Sequence, residues 1–526
     1  MPKRTPDASG PRKKTKMASG AMTTAADGDG AGVDRTTREL QEDVPWDQLE
    51  YEGSVYEPSG LEKGKGKAGG AAGAAEGEWE VDETAYDVLH SLTVKWPALS
   101  VALASDQWGA RRLDWPQRVK MFLGTQAERA QDNAVVVAYV TNLRLTHPEK
   151  RRSQRLGTED EDEEEAVERE VEEQGGFTVN LDEEEDDDDE EGGAKVKVIG
   201  EEGEDGNDET PTIRYVELPH NGTVNILREM PQRPGVVAAF GELGAVSIYS
   251  TTAIFDHLES GNKARPAKQL IAGARVQVLR GHSTEGWALD WSPVKGGRLL
   301  TGDQAGDIYA WEVDGSGEQW IPLGGSLKPY VGHSESVEAL AWSPVEADVF
   351  ASASIDGTIR VWDARQRTAP ALSFTAHPTD VNVLSWNPRV TYLLASGDDD
   401  GCFRVWDLRT VAGGETPAPV ASFSWHTDPV AGIEWSPDEE SVLAVSSGEQ
   451  ATIWDLSLEA DDEGELAGLD ESKAKENPEL LNLPPQLMFV HKGQEDMKEV
   501  HWHRHIPGLL LTTAADGINL WKPENI

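Results

Sequence analysis

A single cysteine, Cys402, is all the thiol chemistry in the 526 residues. That excludes a disulfide framework and a thiolate metal site. No apolar run reaches 18 residues, so no helix is expected to cross a membrane, and no secretory leader pattern is present. Positive charge is scarce, with 48 Lys and Arg against 95 Asp and Glu and a net charge of −47. Phosphate affinity depends on Lys and Arg, so direct nucleic-acid binding is not expected. A basic protein is the complementary partner. No phosphate-binding G-x-x-x-x-G-K-[ST] loop occurs, so no nucleotide-driven step and no cofactor are implied. Acidic pairs abound, but they stand in runs where no burial tunes a pKa, so enzyme activity is not expected.

What the chain does contain is tryptophan, 18 of them, at regular intervals. Gly332–Asp363 reads GHSESVEALAWSPVEADVFASASIDGTIRVWD. VEALAW alternates apolar and polar residues, VFASAS is small and apolar, and TIRVWD closes the unit; each run has strand character. Ile355-Asp356-Gly357-Thr358 supplies turn chemistry between the last two. One such unit has a bare face and needs neighbours. The spacing repeats: His333 to Trp362, His377 to Trp406 and His282 to Trp311 are each 29 residues, with His426 to Trp454 at 28 and His491 to Trp521 at 30. A fainter unit begins at His220. The period fits a four-stranded propeller blade.

These units resemble the WD40 repeat. The resemblance implies a buried His–Ser/Thr–Asp–Trp hydrogen-bond chain, filled by His333, Ser352, Asp356 and Trp362, and by His377, Ser396, Asp400 and Trp406. The His282 unit has Ala305 at the Asp place, and the His426 unit has Ala444 and Gly448 at the Ser and Asp places, so apolar packing is expected to hold those blades. The chain is not a catalytic triad, since no Ser stands at a nucleophile elbow. The expected fold is an all-β, seven-bladed WD40 β-propeller over 95–526, preceded by a disordered tail (1–78) and a short helix (79–94), and interrupted by acidic insertions at 150–210 and 458–485.

The tail carries two basic clusters, Lys3-Arg4 and Arg12-Lys13-Lys14 with Lys16, which resemble a two-part nuclear-import signal. Trp46, Leu49, Tyr51 and Tyr56 form an aromatic island in it. In EVDETAYDVLHSL, residues 80–92, apolar residues Val81, Ala85, Val88, Leu89 and Leu92 recur at helical spacing, which predicts an amphipathic helix. Strands follow at KWPALSVAL, at about 118–126 and at 134–143. Between 159 and 191, 21 of 33 residues are acidic. They form the runs Glu159, Asp160, Glu161, Asp162, Glu163, Glu164, Glu165 and Asp182, Glu183, Glu184, Glu185, Asp186, Asp187, Asp188, Asp189, Glu190, Glu191. Such runs repel themselves and bury no core, so a loop of about 60 residues is expected to hang from the first blade. GGFTV between the runs offers an apolar anchor. Strand pattern resumes at Thr212. His501, His503 and His505 alternate in HWHRH; on a strand they would share one face, near 6.6 Å apart, too loosely for one zinc ion.

The helix, the W-P-x-L-x-V strand led by Trp96-Pro97, the L-G-T turn and the ending PPQLMFVH resemble the retinoblastoma-associated histone-binding WD proteins. That resemblance implies that Trp96–Leu103 closes the ring against Ile518–Trp521. It also implies a side groove between helix and late loop that takes a basic peptide helix. Pro484, Pro485, Leu487 and Phe489 match its motif, Asp461, Asp462, Glu463 and Glu465 are candidates by position, and Tyr86 and Leu89 are candidates on the helix. Arg365 and Arg409 in Trp-Asp-x-Arg resemble the contact of WD40 receptors for cullin-4 ubiquitin ligases. Taken together, the sequence resembles the glutamate-rich WD-repeat family. This implies a monomeric escort for large-subunit ribosomal protein uL3 on pre-ribosomal particles, in the nucleus and nucleolus. Core histones and a cullin-4 adaptor are the rival partners.

Overall fold

The computed structural model describes residues 55–56, 83–106, 108–109, 111–146, 177–180, 197–199, 211–260, 267–411, 417–458 and 483–524. Seven separate sheets carry the described strands, and each has a core of four antiparallel strands. Blade four shows how sequence becomes sheet. Its strands are Val337–Trp342, Val349–Ser354, Thr358–Asp363 and Leu372–Thr375, so the three runs read from the pattern are strands end to end. Gly357 makes the turn at φ 73°, where a Cβ would press on the His377 carbonyl at 3.0 Å. That conformation is open to glycine at no steric cost.

The core is divided among the blade interfaces, and seven apolar clusters fill the seven seams. Between blades three and four, Ala288, Leu300 and Ile308 meet Val337, Trp342, Phe350 and Trp362. Each buried Val, Leu, Ile or Phe contributes about 1.5–3 kcal/mol, and a blade lacking one neighbour would lose a whole seam. Blade two also carries two helices between its third and fourth strands, Thr252–Ser260 and Ala267–Ala274. The first buries Ile254, Phe255 and Leu258, with Phe255 edge-on to Phe122 of blade one at 5.3 Å.

Ring closure differs from the expectation. The segment expected to be a helix is a single 3₁₀ turn, Glu83–Ala85, followed by the strand Tyr86–Thr93. This strand is the fourth of blade seven and pairs antiparallel with Gly517–Pro523, Leu89 opposite Trp521 and Leu92 opposite Ile518. Burial along it alternates with period two: Tyr86, Val88, His90 and Leu92 point in. The apolar spacing suits a helix equally well, but blade seven has only three other core strands, and the unpaired edge of Gly517–Pro523 decides in favour of a strand. Ala98–Leu103, expected at that edge, is the innermost strand of blade one and pairs with Gln117–Thr125.

The hydrogen-bond chains are also set differently in two blades. In blade four, His333 Nδ1 lies 2.9 Å from Asp356 Oδ2 and Nε2 2.7 Å from Ser352 Oγ, which accepts from Trp362 Nε1 at 2.8 Å. A carboxylate only accepts, so Nδ1 carries the proton and Nε2 accepts from the serine. In blade five the partner of His377 is Asp398 at 2.7 Å, not Asp400, whose backbone N–H merely donates to Asp398 Oδ1 at 3.1 Å. In blade three Asp303 takes the same place, 2.8 Å from His282, with Thr301 at 2.7 Å. That blade has a full chain despite Ala305. The carboxylate can come from two or from four residues after the hydroxyl; in blade four the nearer place is Ser354, so the farther Asp356 serves. Blade six takes its hydroxyl from the third strand, Thr452, 3.1 Å from His426 and 2.8 Å from Trp454 Nε1.

Asp398→Ala should therefore destabilise the fold by about 1–3 kcal/mol, because it orphans a buried imidazole N–H, whereas Asp400→Ala should stay within about 0.5 kcal/mol. Urea unfolding of the two variants checks this, and equal midpoints would refute it.

Candidate functional site

Leu487–Lys492 is the fourth strand of blade six, and this places the candidate groove residues in the seam with blade seven. Tyr86 is 5% exposed; its ring stands 5.3 Å from Phe489 and 6.4 Å from Trp521, and its hydroxyl is 2.8 Å from His491 Nδ1. Phe489 stacks on Trp521 at 5.8 Å, and Leu89 packs on the same cluster. Leu487 packs on the seam of blades five and six. Pro484 is buried and Pro485 exposed. These side chains hold blades together, and the helical wall of the expected groove is absent among the described residues. Asp461, Asp462, Glu463 and Glu465 lie outside the described residues, as do the basic clusters Lys3 to Lys16 and both long acidic runs.

The acidic insertion does not simply hang from blade one. At its start, Thr146 N–H donates to the Asp87 carbonyl at 2.8 Å, and Leu89 N–H donates to Thr146 Oγ1 at 2.8 Å. Phe177–Asn180, between the two acidic runs, pairs in parallel with the outer edge of blade seven, Phe177 opposite His90 and Asn180 opposite Thr93. Lys197–Ile199 then pairs antiparallel with Thr212–Pro219, the outer strand of blade one. Sequence composition located the insertion and its GGFTV segment, but not these attachments. Val55–Tyr56 of the aromatic island likewise adds in parallel to Ala421–Phe423 of blade five.

The two faces of the propeller differ in charge. On the face of the His-bearing loops, Glu285, Glu335, Asp380 and Asp399 gather near the channel mouth lined by Trp287, Glu338 and Asn382. The carboxyls feel one another: burial raises the pKa of Asp380, and Asp399 and Glu335 add to it. Burial likewise raises Glu338, with Asp380, Glu285 and Asp399 as further causes, against the hydroxyl of Ser336. Each turn contributes a single acid from a different blade, which is why no run in the sequence marks this mouth. On the other face Trp108 is flanked by Arg118 at 4.1 Å, Lys120 at 4.8 Å and Arg112 at 5.3 Å. The Trp-Asp-x-Arg arginines also lie there, each folded onto its own aspartate: Arg365 on Asp363 and Arg409 on Asp407, both at 2.7 Å, with side chains 72% and 51% exposed.

The channel of about 660 Å³ holds a chain of alternating charge. Arg228 pairs with Glu499 at 2.8 Å. His501 stands between Glu434 at 2.7 Å and Glu499 at 3.2 Å. Glu499 also accepts from Ser100 Oγ at 3.0 Å and from the Val101 N–H at 2.7 Å. Four blades are thus joined through one carboxylate. The three histidines of HWHRH do not share a face: His501 faces the channel, while His503 Nδ1 accepts the backbone N–H groups of His505 and Ile506 at 3.0 and 3.1 Å.

Comparison with known proteins places this architecture. A family model for the WD domain, G-beta repeat, matches residues 324–363, 369–407 and 417–455. A second, which describes histone-binding protein RBBP4 and its equivalent in the CAF1 complex, matches 76–144. The chain is 39% identical over 449 residues to glutamate-rich WD repeat-containing protein 1 of Dictyostelium discoideum, covering 85% of this chain and 82% of that protein. The chain belongs to the glutamate-rich WD-repeat family. Within it, ribosome assembly protein rrb1 of Schizosaccharomyces pombe is 36% identical over 84% of this chain and 81% of its own length. The protein named HEAT STRESS TOLERANT DWD 1 of Arabidopsis thaliana is 41% identical over 85% and 89%. The RBBP4-type match spans the closing strand of blade seven and the first three strands of blade one, so it coincides with the ring closure this family member uses.

Burial opposes a charge on His501, but Glu434 and Glu499 outweigh it and raise the imidazole to about 9 from 6.5. A folded-state pKa above the unfolded one means stability that is complete below about pH 6.5 and lost as pH rises through 9. The wild type should lose about 2 kcal/mol across that window, discounted from the full shift for partial solvation, and His501→Gln should flatten the limb. Urea midpoints measured from pH 6 to 9.5 decide it; an equal slope in both proteins would refute the assignment.

Proposed function

We propose that this protein is a non-catalytic acidic escort that holds a basic client during ribosome assembly in the nucleus and nucleolus, with large-subunit ribosomal protein uL3 as that client. The observation that carries the reading is the 36% identity to ribosome assembly protein rrb1 along 84% of the chain. The charge agrees with it. A ribosomal protein carries basic extensions made for rRNA phosphates, and a chain of net charge −47 offers carboxylates in their place until rRNA takes the client over. The runs 159–165 and 182–191 supply attraction with little choice of partner. Asp461, Asp462, Glu463 and Glu465, in the insertion that precedes the last strand of blade six, are the proposed directional contacts, since a desolvated Arg–carboxylate pair discriminates where charge alone does not. The side chains of blades three to five that would suit hydrolysis, His282, His333 and His377 with their hydroxyls, are bound in the buried chains.

Two observations favour other clients. The RBBP4-type match at 76–144 favours a core histone. The exposed Arg365 and Arg409, together with the relative named DWD, favour a cullin-4 adaptor. Titration of uL3, core histones and the adaptor against the full chain separates the three. Replacing 159–191 with a Gly/Ser linker should leave the thermal transition in place, weaken uL3 about tenfold and flatten its salt dependence, because screened charge acts over a Debye length of about 8 Å. Wild-type affinity and slope in that variant would reduce the tract to a solubility device, and tighter binding of histone than of uL3 would replace the client.

A further inference from the structure

The acidic insertion is attached at two places, and the two places are the two blades that close the ring. Phe177–Asn180 adds to blade seven and Lys197–Ile199 adds to blade one. The residues between them, 181–196, contain the run DEEEDDDDEE. The sequence thus forms a strap whose ends lie on either side of the seam filled by Val88, Leu92 and Leu511 from one blade and Val101, Val119 and Met121 from the other.

Both attachments are short, four residue pairs and three. The first is parallel, the less stable pairing per residue. Each holds a long loop closed against its conformational entropy. Charge works against them as well. Residues 147–210 contain 28 Asp or Glu against 7 Lys or Arg, out of 95 and 48 in the whole chain, so strap and remainder are both strongly negative. Fixing one on the other concentrates like charge, and that work shrinks when salt or a bound cation screens it.

We propose that the insertion is a charge-sensitive strap whose strands dock on blades seven and one when a lysine- or arginine-rich segment neutralises the acidic runs, and whose docking weakens when the runs are bare. Coupling of this kind is reciprocal: a basic partner tightens the seam, and a docked strap binds that partner more tightly than a free one. Removal of the partner by a stronger polyanion loosens both together. The inference needs only the sign of the partner's charge, so it stands or falls separately from the identity of the client.

Ser91 and Thr178 are paired across the blade-seven edge, and the only native thiol, Cys402, is buried. Ser91→Cys with Thr178→Cys in the full chain therefore reports docking as the fraction of disulfide at equilibrium in a glutathione buffer. The equilibrium constant should rise at least about threefold as the Debye length falls from about 30 Å to about 8 Å. It should rise similarly on adding short poly-lysine at low salt, with no response to an uncharged polymer. In a version with 182–191 replaced by Gly and Ser, the disulfide should form at the screened level at every salt concentration. A wild-type constant indifferent to salt and poly-lysine, one that falls with either, or a salt response retained in the Gly/Ser version would each overturn the strap. Melting curves of the reduced proteins confirm that the propeller is folded in every arm.

Discussion

The antiparallel pairing of Tyr86–Thr93 with Gly517–Pro523 is the contact on which the rest of the molecule depends. A propeller blade has no core of its own; its apolar residues are buried only by the next blade, and the last seam exists only if the ring closes. Here one strand from near the start of the chain completes the sheet built at its end. Through Tyr86 it also reaches Phe489 and His491 of blade six. The residues that resemble a binding groove by motif are therefore occupied in closure, and Thr146, where the acidic insertion leaves blade one, bonds to the same strand.

A second constraint runs around the channel. Glu499 accepts from blade one and from Arg228 of blade two, and faces His501, which leans on Glu434 of blade six. A buried carboxylate with so many donors stays charged: although burial pushes Glu499 up, Arg228 and His501 hold it at about 2. The polar centre and the apolar seams thus favour the same arrangement, so the propeller is specified twice, once by packing and once by charge. The carboxylates on its outer turns are left free of that task, and one face can be acidic without cost to the core.

Much of this was legible in the chain itself. The repeat of His and Trp at nearly constant spacing announces stacked four-stranded units, and the runs VEALAW, VFASAS and TIRVWD are strands end to end. Composition alone located the acidic insertion. The failures share a cause. The helix expected at 80–92 has the apolar spacing of a helix, yet its partner lies more than 400 residues away, and only a finished sheet reveals the empty edge. Asp400 is as plausible as Asp398 in a motif, but the fold brings Asp398 to His377. The helices of blade two, and the stitching of the insertion to blades seven and one, left no mark in the repeat pattern.

The sequence by itself determined the kind of unit, the number of blades and the overwhelming negative charge, because period, turn chemistry and composition are local properties of a chain. Tertiary structure decided which strand closes the ring, which carboxylate completes each buried chain, and which acids from separate blades meet at one channel mouth. Those choices are made by unpaired edges and distances between segments far apart in sequence, and no local pattern contains them.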